Sequence, residues 1–189
     1  MNYGLTNCWS TPIMYDKISN TDILSRTINH ILTNFDLAFP PSDFQEFDIL
    51  KDGGEVMQEF RDLVVIPAFQ KYIKQLDIEE CLSYSIKSWV AGPNAGYMIP
   101  IHNHSGASIS AVFYLLSEDI DKGGELLFQD PRTNANRGYN NDFRKLFQPK
   151  SILPTSGDMV VFPSYVYHYT NPFHGKLRLA IPVDFFPKN

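Results

Sequence analysis

The feature that most restricts the fold is a change of hydrophobic period along the chain. With Asn20 or Thr21 as N-cap, Ile23, Leu24, Ile28, Ile31 and Leu32 recur at three- and four-residue intervals, which predicts an amphipathic helix to about Asn34. Val56, Phe60, Leu63, Phe69, Tyr72, Ile73 and Leu76 keep a similar spacing over a second helix from about Glu55 to Leu76, with Pro67 expected to kink or divide it. Pro40-Pro41 and a polar connection to Gly53-Gly54 separate the two. After Cys81 the period drops to two. Leu82 to Val90 alternates as a half-buried antiparallel strand does, and strand-like runs follow around His102, from Ser108 to Leu116, and at Glu125 to Gln129. Further runs lie at Met159 to Phe162, Val166 to Tyr169 and Lys176 to Phe186, set apart by Gly-, Pro- and Asn-bearing turns. Trp9 to Tyr15 reads as a short extended segment suited to a sheet edge. Two helices followed by about eight short strands predict an α+β fold with a jelly-roll or barrel core. The expected organisation is a single domain over 1–189, with helical support at 20–76 and the β core at 81–186.

Charge and composition exclude several classes. The formal net charge is −5, and the 16 Lys and Arg form no basic cluster, so neither nucleic acid nor an anionic membrane is an expected partner. Cys8 and Cys81 are too few for a disulfide framework and match no zinc spacing. Met1-Asn2-Tyr3-Gly4 has no basic flank leading into an apolar core, and no apolar run approaches the ~18 residues of a membrane span. A soluble cytoplasmic protein acting on a small molecule or a peptide is the expectation. The long polar stretch from Asp130 to Lys150, with Asn134, Asn136, Asn140 and Asn141, is of the kind that forms a lid over a rigid scaffold.

The chemistry concentrates in a few residues. His102 and His104 stand two apart in an extended stretch and so project to the same side, which is half a metal site. His168 closes an apolar strand, and a turn centred near Phe173 places it opposite Arg178 on an antiparallel neighbour, with β-carbons about 5 Å apart. Three imidazoles suit iron, zinc or copper, and a nearby guanidinium suits a bidentate carboxylate. His30, in mid-helix, reads as a surface or interface residue. His174, in the turn before Gly175, reads as exposed and is the rival to His168 as downstream ligand. Gly123-Gly124 supply positive φ at a turn, and Tyr114, Trp89, Phe128 and Tyr97 are most simply packing residues.

Taken in order, His102-x-His104, Tyr114-Leu115, Gly123-Gly124-Glu125-Leu126-Leu127-Phe128, Gly157-Asp158-Met159-Val160-Val161-Phe162-Pro163, His168 and Arg178 form a pattern. It resembles the iron(II)- and 2-oxoglutarate-dependent dioxygenases, and within them a small branch with an H-x-H motif related to prolyl 4-hydroxylase-like and aspartyl hydroxylase-like enzymes. The resemblance covers about residues 84 to 186. It implies a double-stranded β-helix, or jelly roll, with the two N-terminal helices packed on its sheet. It also implies an Fe(II) centre with 2-oxoglutarate and O2 as co-substrates, no catalytic residue beyond the metal site, and hydroxylation of a C–H bond with release of succinate and carbon dioxide.

Residue by residue, His102 and His168 match the family's two histidines. Arg178 matches the arginine that binds the distal carboxylate of 2-oxoglutarate, and Tyr114 matches a tyrosine able to hydrogen-bond the same group. His104 stands where the usual motif has an acid. It either ligates as a third neutral nitrogen or turns away and leaves its place to water. Asn103 and Ser110 are candidate orienting groups. Trp89, Tyr97, Arg132, Arg137 and Tyr139 are the expected pocket wall. Two other readings share these residues: a zinc hydrolase or lyase on a jelly roll, which has no built-in need for Arg178, and a non-catalytic, metal-containing binding protein.

Overall fold

Asn20 starts the helical half as the sequence predicts: its side chain accepts the Ile23 backbone N–H at 3.2 Å, and α1 runs over Thr21–Asn34. The computed structural model describes residues 10–38, 40, 46–78, 83–92, 95–132 and 148–188. The polar connection after α1 holds a short helix that periodicity cannot show, α2 (Ile49–Asp52), capped by Asp48. The second expected helix is present over the expected span and is divided where Pro67 predicts. α3 (Glu55–Phe60) passes through a π turn, Arg61–Val65, into α4 (Ile66–Gln75). Pro67 has no N–H to donate and its ring would strike the carbonyl four residues back, at Leu63, so the wide turn sits where that carbonyl must move aside. His30 plays a structural part, because its Nε2–H donates to the Gly53 carbonyl at 2.7 Å and ties α1 to the turn before α3.

Eight strands among the described residues form two antiparallel sheets: β1 (Met14–Lys17), β2 (Tyr84–Ser88), β3 (Ile109–Ser117), β4 (Leu126–Phe128), β5 (Lys150–Ile152), β6 (Asp158–Pro163), β7 (His168–Thr170) and β8 (Arg178–Pro187). The larger sheet has the order β1-β6-β3-β8-β2 and the smaller β5-β4-β7. As expected, the N-terminal segment pairs with a sheet edge, β1 lying along β6. Asp158, fully buried at the start of β6, fastens that edge by accepting from the Tyr15 hydroxyl and from Thr155. Burial works to raise its pKa, but these hydrogen bonds prevail and hold it below the usual carboxylate range.

Both faces of the larger sheet are covered, so its strands read as almost continuous apolar runs while the two-residue period still sorts their side chains. Phe113, Leu115, Val161, Leu179, Ile181, Val183 and Phe185 join α1, α3 and α4 in one core. Tyr114, Val160, Phe162 and Ala180 face the smaller sheet and pack with Leu126, Phe128 and Val166. A β-bulge after Tyr114 sets Leu116 opposite Leu179.

Three sequence expectations change. His168 and Arg178 are not partners in a hairpin: β7 pairs with β4 in the smaller sheet, while β8 pairs with β3 and β2 in the larger, so the segment between them crosses the gap. The His102 stretch is no strand of its own but an extended segment bridged to β7, with His102 and His168 exchanging backbone hydrogen bonds of 3.0 and 2.9 Å. Lys150, the last residue of the expected lid, opens β5, and most of that stretch, 133–147, lies outside the described residues, as do Cys8 and Cys81. No described helix is long and apolar enough to cross a membrane.

Phe185 joins the two halves of the fold, stacking on Phe69 of α4 with centroids 4.3 Å apart and planes at 7°. Replacing it with Ala leaves a cavity between helix and sheet, and urea unfolding should show a loss of about 3–5 kcal/mol.

Candidate metal centre

A cavity of about 720 Å³ opens between the two sheets, and His102, His104, His168, Tyr114 and Arg178 all line it. Ligating atoms of the three histidines lie within 4.8 Å of one another. The shortest approach is His104 Nε2 to His168 Nε2 at 3.3 Å. Each ring is held by its other nitrogen against an oxygen that can only accept. His102 Nδ1 meets the Pro100 carbonyl at 2.8 Å, His104 Nδ1 meets the Asp184 carboxylate at 2.8 Å, and His168 Nδ1 meets the Val166 carbonyl at 3.0 Å. Those partners fix the proton on Nδ1, so each Nε2 presents a lone pair to the centre. Two lone pairs facing across 3.3 Å repel unless a cation lies between them, which is the demand a divalent metal meets.

Packing removes the remaining ring freedom. Trp89 stacks on His104 at 5.8 Å, and Phe162 packs edge-on against His168 at 4.7 Å. The pKa of His168 is pushed down to about 3, chiefly by burial and also by the neighbouring imidazoles, against the hydrogen bond to Val166, so this imidazole is neutral near pH 7. His104 does not turn away: its ring is among the three that converge.

Arg178 is 4% exposed and lies over the Phe173 ring, its guanidinium carbon 4.5 Å from the centroid. It donates to the Gly124 carbonyl and, at 3.3 Å, to the Gly123 carbonyl. Both glycines have positive φ, and a β-carbon at Gly124 would collide with the guanidinium, so the turn gives up a side chain to seat the arginine. Its Nε–H is buried without a partner among the described residues, a cationic donor that a carboxylate would satisfy. Tyr114, 3% exposed, has its hydroxyl pKa raised by burial and keeps its proton to donate.

The donor set therefore fits both a divalent metal and an anionic chelate beside it. Of the expected wall, Trp89 and Tyr97 line the cavity, whereas Arg132 sits outside it, paired with Asp130 at 2.6 Å; Arg137 and Tyr139 lie outside the described residues. His174 is exposed, and Asn103 lines the cavity. Ser110 reaches a ligand through a residue absent from the sequence motifs, donating to Asp184 at 2.6 Å. A signal for Asp184 exists in the sequence, since it is an acid inside the apolar run Leu179 to Phe186.

A family model described as "Putative 2OG-Fe(II) oxygenase" matches residues 87–184, slightly more than half of the chain and every residue lining the cavity except Phe186. The chain belongs to this 2-oxoglutarate- and iron(II)-dependent oxygenase family. Among solved structures it is similar to a Pseudomonas putida prolyl-4-hydroxylase (17% identity, TM-score 0.65, 95% of each chain covered). It is also similar to a Trichoplax adhaerens prolyl hydroxylase in complex with a hypoxia inducible factor peptide fragment (14%, 0.68, covering 93% of this chain and 83% of that one). A third likeness is to a non-heme alpha-ketoglutarate-dependent epimerase of nogalamycin biosynthesis (10%, 0.60, covering 93% and 78%). At these identities the likenesses establish the fold, a jelly roll with N-terminal helices, and the family implies Fe(II) and 2-oxoglutarate. A comparison of the sequence with curated proteins yields no match.

The depressed His168 pKa has a consequence for the metal-free protein. Between about 3 and the ordinary value of 6.5 the unfolded chain binds a proton at this residue and the folded chain does not, so stability falls as pH is lowered through that window. The folding equilibrium should lose up to about tenfold per pH unit from this one group, and His168→Gln should flatten the slope in denaturant titrations at pH 4 to 7.

Proposed function

We propose that the protein is an iron(II)- and 2-oxoglutarate-dependent dioxygenase that hydroxylates a small-molecule or peptide substrate and releases succinate and carbon dioxide. The observation that carries this reading is the shared cavity: three Nε2 lone pairs converge at one place, and the buried, unmet Nε–H of Arg178 lines the same space. A metal site alone would suit many reactions. A metal site beside a fixed, buried guanidinium suits a co-substrate that chelates with one end and carries a carboxylate at the other.

In this reading His102, His104 and His168 hold Fe(II), which with bound 2-oxoglutarate supplies the oxygen-activating chemistry. Arg178 takes the distal carboxylate of 2-oxoglutarate, and the Tyr114 hydroxyl donates to the same group. The carbonyls of Gly123 and Gly124 aim the guanidinium and keep it from swinging into solvent. Leu126, Phe162 and Ala180 wall the site with apolar surface, which excludes water and strengthens each charged contact inside. Tyr97 and Met98, 38% and 49% exposed, line the cavity and stand at its mouth, where a substrate would enter. The Trichoplax relative is seen with a peptide, which supports a peptide as one substrate class; the likeness to an epimerase keeps the reacting group open.

The test is anaerobic titration of the iron(II)-loaded protein with 2-oxoglutarate, following the visible charge-transfer band of keto-acid chelation, and then admission of oxygen with a succinate assay. A band followed by succinate is expected. Absence of a band in protein that binds zinc instead would overturn the oxygenase reading in favour of a zinc enzyme. Arg178→Ala should weaken 2-oxoglutarate by at least about 30-fold, as loss of a buried charged partner does, while leaving metal affinity unchanged. Gly124→Ala should act in the same direction by displacing the guanidinium; equal loss of metal and co-substrate in both variants would remove Arg178 from the pocket role.

A further inference from the structure

Asp184 lies in the middle of β8, between β3 and β2, in a run that is otherwise apolar. It is 7% exposed, and a carboxylate buried to that degree costs several kcal/mol unless it is well partnered. Its partners are specific. Ser110, directly across the β3/β8 ladder, donates its hydroxyl to Oδ1 at 2.6 Å, and His104 donates Nδ1–H to Oδ2 at 2.8 Å. With the Ser110 proton committed to Asp184, the hydroxyl of fully buried Ser164, 2.8 Å away, must donate to Ser110. The hydrogen bonds thus run one way, Ser164 to Ser110 to Asp184, and meet the His104 proton at the carboxylate.

We propose that Asp184 is a positioning residue of the metal centre, orienting His104 and supplying through its imidazole the negative charge that three neutral ligands lack. The inference rests on the metal-centre reading above and adds to it a role for a residue outside the ligand set. Three imidazoles leave both charges of a divalent ion uncompensated. A carboxylate hydrogen-bonded to one ligand raises that ligand's basicity and places one counter-charge a single ring away from the metal. Fold alone gives little reason for an acid here, because the same face of β8 accepts Ala180 and Pro182, and an apolar residue at 184 would need no partner. The acid stands on the strand position from which a side chain reaches His104 Nδ1.

The experiment is titration of the metal-free protein with Co(II), reading both the dissociation constant and the visible d–d spectrum, in wild type, Asp184→Asn and Asp184→Ala. Asn is close to isosteric and keeps an oxygen to accept from His104, so it removes the charge while retaining the orientation; Ala removes both. Wild type should bind, Asn should bind more weakly with an altered spectrum, and Ala should lose about 10- to 100-fold in affinity. Thermal midpoints of the metal-free variants show whether a loss comes from unfolding, and the Asn variant should keep its midpoint. Affinity unchanged in Asn would overturn the charge role, and affinity unchanged in both variants, with only the midpoint moved, would reduce Asp184 to a strand partner. Failure of the wild type to bind Co(II) would instead overturn the metal-centre reading beneath it.

Discussion

Three imidazoles can turn their lone pairs inward only if something holds their protons outward, and the rest of the site depends on that condition. The acceptors come from three different parts of the chain: the Pro100 carbonyl two residues before His102, the Val166 carbonyl two residues before His168, and the Asp184 side chain across the cavity from His104. Two lie two residues before their histidines and travel with them. The third depends on the register of β3 against β8, which places Ser110 opposite Asp184, and on the bridge that lays the His102 segment along β7. A slip in either pairing would leave a ring free to rotate and a carboxylate buried without its donors. The centre is therefore a product of both sheets.

The sequence carried the local half of this arrangement and hid the rest. Alternation placed His102 and His104 together because two residues in an extended chain settle which way side chains point. The cap at Asn20 and the interruption at Pro67 were similarly short-range, and the structure bears them out; it also bears out the edge pairing of β1, although that contact joins distant parts of the chain. His168 and Arg178 do share a site, but for a reason other than the hairpin that their ten-residue separation suggests. In a two-sheet fold adjacent strands need not be hydrogen-bonded neighbours, and the chain between them passes from one sheet to the other. Short strands in polar surroundings escape periodicity altogether, as β5 did.

Pro182 shows a similar limit. A proline in a central strand argues against strand, yet here it lies opposite Trp89, which donates to the Pro182 carbonyl at 3.3 Å and receives nothing in return. The β2/β8 ladder consequently stops at Ser88 and Val183 and resumes only as the bridge between Ala91 and Ala180. Trp89 thus falls at a gap in the ladder, beside the ring of His104 on which it stacks. Nothing in the alternation of Leu82 to Val90 distinguishes such a gap from a continuous strand.

The two faces of β8 carry separate duties. Leu179, Ile181, Val183 and Phe185 belong to the helix-side core, while Arg178, Ala180, Pro182 and Asp184 look into the cavity. On the cavity face a cation and an anion stand roughly 20 Å apart at ordinary strand rise, with two compact side chains between them. In the proposed reading this interval is where metal, co-substrate and substrate would share space, and Ala180 and Pro182 line it. Enlarging or polarising these two positions would, on that reading, alter what the cavity accepts while the helix-facing residues stay as they are. On the proposed reading, alternate residues of one strand bear on what the cavity accepts and on the helix-side core, although Ala180 also packs in the core between the sheets.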